Sequence, residues 1–102
     1  MLRIIVLNYK RPDNVRAICD TFHRSVPITV INNNPQHSFS YSSRKVEVIN
    51  NKENKYCIER WIKCYDYSEP YKLVLDDDLV PSPLLVKKLR QRNQPLIGIY
   101  GK

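Results

Sequence analysis

The sequence predicts an α/β fold, a three-layer α/β/α sandwich around a mainly parallel sheet. Three observations predict it. Five short apolar runs read as solid blocks rather than alternating ones, the pattern of strands buried on both faces. Amphipathic helical segments separate most of these runs, which favours crossover connections and a sheet covered on both sides. The chain has 102 residues and 42% hydrophobic content, enough for one core, so residues 1–102 are expected to form a single domain.

The first strand is Arg3-Ile4-Ile5-Val6-Leu7, a β-branched run. Asn8-Tyr9-Lys10-Arg11 breaks it, and Pro12 suits the first turn of a helix, where its missing N–H costs nothing. Val15, Ile18, Cys19 and Phe22 follow at helical spacing and form an apolar stripe. Pro27 marks its end, Ile28-Thr29-Val30-Ile31 is the second strand, and Asn32-Asn33-Asn34-Pro35 is a turn cluster. Residues 36–45 are polar and hydroxyl-rich, so a surface loop is expected. Val46-Glu47-Val48-Ile49 is the third strand, after which Asn50 or Asn51 can cap a helix. Cys57, Ile58, Trp61, Ile62 and Tyr65 form the apolar face of that helix, which makes Trp61 a core residue rather than a ligand platform. Lys72-Leu73-Val74-Leu75 is the fourth strand, Ser82-Pro83 opens a last helix, and Leu96-Ile97-Gly98-Ile99-Tyr100 is the fifth strand.

Composition narrows the function classes. No apolar run is long enough to span a bilayer, and the N-terminal run is too short for a signal peptide, so a soluble, cytoplasmic chain is expected. Cys19, Cys57 and Cys64 are an odd, widely spaced set, which points to reduced thiols rather than disulfides or structural zinc. The formal charge of +7 allows nucleic acid, anionic surfaces or phosphorylated small molecules as partners. Nucleic acid ranks last, because the basic residues are spread along the chain and acids sit at the expected functional edge.

That edge is the carboxyl ends of the strands, where ligands bind in parallel sheets. Asn8 to Arg11, Asn32 to Asn34 and Asp76 to Asp78 should meet there. Three adjacent carboxylates in a basic chain repel one another unless a cation compensates. Hard oxygen ligands suit Mg2+ or Mn2+, and such sites typically hold metal-bridged phosphates. GxGxxG and Walker loops are absent. A receiver domain would want acids after the first strand, where this chain has Asn8-Tyr9.

Three stretches, IIVLNYKRPDNV, ITVINNNP and KLVLDDDLVPSP, resemble the Rossmann-like nucleotide-binding half of GT-A glycosyltransferases, closest to the exostosin-like and family-2-like enzymes. The resemblance runs in order over nearly the whole chain. It implies transfer of a sugar from a nucleotide diphosphate sugar, most often a UDP-sugar, with Mn2+ (or Mg2+). It implies Asp78 on the metal, Asp76 facing the ribose, and Asp77 near the sugar or ribose. Asn8, Tyr9 and Arg11 fall in the loop that surrounds the base, with Tyr9 stacking and Arg11 serving base or phosphate. Asn51 and Lys55 fall where the family lines the nucleotide. GT-A enzymes continue beyond the region matched here, into a half that carries the acceptor site and the catalytic base. Three expectations stay open: a piece of a longer protein, a minimal form, or a chain completed by a partner or a second copy. No catalytic base is identified, since Glu47, Glu53, Glu59 and Glu69 are not placed at the strand-end face. A non-catalytic nucleotide-sugar-binding module is the alternative function.

Overall fold

The computed structural model describes residues 2–53, 67–69, 71–77, 81–90 and 96–100. Five strands are present: β1 Leu2–Asn8, β2 Ile28–Asn32, β3 Val46–Asn50, β4 Tyr71–Leu75 and β5 Leu96–Tyr100. Two helices accompany them, α1 Pro12–Phe22 and α2 Pro83–Arg90. Every strand pairing is parallel and the order across the sheet is β3-β2-β1-β4-β5. The α/β class expected from the solid apolar runs is therefore the observed one.

Alternation along each strand sends side chains to two faces. On one face Ile4 and Val6 of β1, Ile28 and Val30 of β2, and Leu73 and Leu75 of β4 form a single cluster with α1 and α2. Val15, Ile18, Cys19 and Phe22 supply the α1 stripe, as the spacing predicted, and Val86 supplies α2. Pro12 stands in the first turn of α1, before which Arg11 is the N-cap. Each fully buried Val or Ile here contributes about 1.5–3 kcal/mol relative to exposure. The other face carries Ile5, Ile31 and Val74, with Leu7 and Tyr67 packed against them. The helix expected after β3, with Cys57, Trp61 and Cys64 in or near it, lies outside the described residues. No helix among the described residues is long and apolar enough to cross a membrane.

Two expectations about loops are corrected. Residues 36–45 are not wholly a surface loop, because Phe39 is buried in the core and Tyr41 packs against it. Asn8 and Asn32, read as a break and a turn cluster after the strands, and Asn50, read as a helix cap, are each the last residue of a strand. Asn50 commits its side chain to Asn32 and to the backbone of Phe39, which takes it out of the capping role.

The amino half of the second face is polar and closely paired. The Arg3 guanidinium donates to both carboxylate oxygens of Glu69, at 2.8 and 3.3 Å, and to the Thr29 hydroxyl at 3.0 Å. Its plane lies 4.1 Å from the Tyr67 ring centre. Lys72, in the middle of this network, is buried and donates to the carbonyl oxygens of Tyr67 and Glu69. These bonds seat the approach to β4 against β1 and β2.

Candidate functional site

In the order β3-β2-β1-β4-β5 the chain reverses its direction of growth between β1 and β4. Loops leaving the carboxyl ends of two such strands diverge and open a crevice, the usual ligand position in parallel sheets. The residues at that crevice are Asn8 to Arg11 after β1 and Asp76 and Asp77 after β4.

Parallel register places Asn8, Asn32 and Asn50 side by side. Asn8 Nδ2 donates to Asn32 Oδ1 at 2.9 Å, and Asn32 Nδ2 donates to Asn50 Oδ1 at 2.8 Å. Asn50 closes the row on the Phe39 peptide, accepting its N–H at 2.8 Å and donating to its carbonyl at 3.0 Å. Asn32, fully buried, also donates to the His37 carbonyl at 2.8 Å. A buried amide needs such partners, and here each asparagine supplies its neighbour's. The buried Asn8 Oδ1 is the acceptor left over, with no partner among the described residues. One step further along, Asn51 donates from Nδ2 to Asn33 Oδ1 at 2.6 Å, and its backbone N–H continues the ladder to the Asn32 carbonyl at 2.9 Å.

The crevice itself is built by Asp77. Its Oδ2 accepts the backbone N–H groups of Tyr9, Lys10 and Arg11 at 2.9, 2.8 and 3.0 Å. Its carbonyl accepts from Asn14 Nδ2 at 3.0 Å, and the Arg11 guanidinium lies 3.7 Å from Oδ1. Tyr9 is 40% exposed, with the Lys10 ammonium 5.7 Å from its ring centre. Asp76 is half-buried at the end of β4. The edge thus presents an exposed aromatic ring and two cationic side chains beside a pair of aspartates.

Of the residues expected to form the site, Asn8, Tyr9, Arg11, Asp76 and Asp77 converge. Asn51 stands at the end of β3, three strand spacings or about 14 Å from β4. Lys55 and Asp78 lie outside the described residues. Among the described residues no group of three His, Cys, Asp or Glu side chains gathers as a metal cluster. Cys19 is buried, its thiol pushed up to about 11 by desolvation, and His23 turns its Nδ1 to the Ser43 hydroxyl. Neither is poised as a zinc ligand.

Sequence reasoning placed Asn32 at this edge but not its pairing with Asn8 and Asn50, and it missed Asn50 and Asn14 as builders of the edge. A signal was present: Val6-Leu7-Asn8, Val30-Ile31-Asn32 and Val48-Ile49-Asn50 repeat one pattern, and the three valines are paired in register. Comparison of the chain with protein families, with curated proteins and with solved structures found no match.

Proposed function

We propose that this chain is the nucleotide-sugar-binding part of a metal-dependent glycosyltransferase, with a UDP-sugar as donor. The observation that supports it most is the meeting of the Asn8–Arg11 loop with Asp76 and Asp77 at the β1/β4 switch point. Tyr9 offers a ring face for a base, and Lys10 and Arg11 offer charge to a diphosphate. The donor chemistry suits Mn2+ or Mg2+, because the candidate ligands are hard carboxylate oxygens. Asp78 would hold the cation, with Asp76 toward the ribose. When bound, the cation neutralises the diphosphate as it leaves the sugar. Lys10 and Arg11 add to that stabilisation from the loop. The proposal keeps a cytoplasmic location, in keeping with the free buried thiol of Cys19.

The glutamates favour a second reading, a binding module without turnover. Glu69 is held by Arg3, and Glu47 accepts from the Tyr67 hydroxyl, both away from the crevice.

Calorimetric titration of UDP, with Mn2+ and then with chelator, tests the proposal. A diphosphate approaching aspartates is repelled without a cation, so Mn2+ is expected to raise affinity. Asp78→Asn should remove most of that gain, while Asp76→Asn weakens binding evenly in both conditions. Equal binding of UDP by wild type in chelator would sink the metal-dependent reading.

A further inference from the structure

We infer that Asp77 is a positioning residue: it latches the β1–α1 loop, and does not meet the cation or the sugar. This deepens the nucleotide reading above, and its ligand arm rests on that reading. The β1–β4 register ends at Val6 and Leu75, so the chain leaves β4 through Asp76 and Asp77 next to the loop that leaves β1. Three consecutive backbone N–H groups converge on one carboxylate oxygen at 2.8–3.0 Å. A charged acceptor with three donors is held in one place. The second oxygen faces the Arg11 guanidinium, and the side chain is only 13% exposed.

Such a concavity of successive N–H groups is the kind that binds phosphate oxygens in other loops. Here the chain fills it with its own carboxylate. The loop's backbone is therefore closed to phosphate, and what it turns outward is side chain: the Tyr9 ring, Lys10 and Arg11. Asp77 fixes where those groups stand. Of the aspartates, the middle one is therefore the member that shapes the loop.

Two substitutions separate the roles. Asp77→Asn keeps an oxygen for the three N–H groups and removes the charge; Asp77→Ala removes both. Two readouts are taken: hydrogen exchange of the Tyr9, Lys10 and Arg11 amides by NMR, and UDP affinity with Mn2+. The latch requires protected amides in wild type and Asp77→Asn, and exchange at least about tenfold faster in Asp77→Ala. It also requires UDP affinity within about threefold of wild type for Asp77→Asn and about tenfold or more weaker for Asp77→Ala. If Asp77→Asn loses as much UDP affinity as Asp77→Ala while its amides stay protected, the charge serves the ligand and the latch reading is wrong. Fast exchange of the three amides in wild type also overturns it. Should Asp77→Ala not fold, the Asp77→Asn readouts decide alone, retention supporting the latch and loss refuting it. If wild type fails to bind UDP, the nucleotide reading falls and the exchange pattern still decides the latch.

Discussion

Asn32 is the residue on which the carboxyl edge turns. Its amide accepts from Asn8 and from the Asn34 N–H, and donates to Asn50 and to the His37 carbonyl. Truncation removes all four bonds at a fully buried position. Leaving a buried donor or acceptor unpaired costs about 1–3 kcal/mol, so Asn32→Ala should destabilise by about 2–4 kcal/mol in urea unfolding. Asn32→Asp should cost at least as much, because it presents acceptors to the Asn50 and His37 oxygens. A loss below about 1 kcal/mol for the alanine variant would show the row to be ornamental rather than structural. At this scale the sequence was partly legible. The apolar stripe of α1 could be read residue by residue, because periodicity reports burial. Asn8 and Asn32 were read as a break and a turn and Asn50 as a helix cap, because such propensities are local while their partners lie on neighbouring strands. Only the register, a long-range property, turns three local signals into one row.

Among the elements, the segment between β2 and β3 departs most from its composition. Its hydroxyls and charges describe an exposed loop, yet Phe39 is buried to 3% exposure and joins the main core. The Asn50 amide, gripping both polar groups of the Phe39 peptide, explains why the loop turns inward there. Further along, Tyr41 donates its hydroxyl to Asp20, and His23 meets Ser43, which ties the loop to α1. Phe39→Ala should therefore behave as a core substitution and cost about 3–5 kcal/mol. Urea midpoints of Phe39→Ala and of an exposed control, Ser40→Ala, check this; equal midpoints would return the segment to the surface. The strands themselves were legible as apolar blocks, each ending within a residue or two of the expected place. What escaped the reading was a single aromatic residue inside a polar segment, since no period marks it.

For the whole molecule, acid sensitivity should trace to the pairing beneath β4. Hydrogen bonds from the Arg3 guanidinium hold the Glu69 carboxyl below the usual carboxylate range. A lowered folded value means that this contribution is fully present above the ordinary carboxylate value. It is lost as pH falls through the lowered one. Stability measured from neutral pH downward should therefore drop on the acid side, and Glu69→Gln should flatten that drop. An unchanged acid limb in the variant would place the sensitivity elsewhere. The location of the candidate site was legible at this scale, because topology alone sends the loops after β1 and β4 to one crevice. That the loop's backbone bonds to Asp77 was not, because adjacent identical residues carry no sequence mark of which one the backbone claims.

The asparagine row also has a sense. The Phe39 peptide has one donor and one acceptor, and it fixes which way the Asn50 amide faces. Asn50 then dictates Asn32, and Asn32 dictates Asn8, so the Asn8 and Asn32 nitrogens point toward β3, the Asn50 nitrogen points to the Phe39 carbonyl, and the row ends in an oxygen at β1. Turning over any one amide would set oxygen against oxygen, and turning over Asn32 or Asn50 would also set nitrogen against nitrogen, so the row holds the one sense that Phe39 fixes. A peptide on the sheet's margin thus decides the polarity at the sheet's centre, in the manner of a chain of magnets aligned by the first. A basic chain keeps the negative pole of that row buried at the end of its central strand.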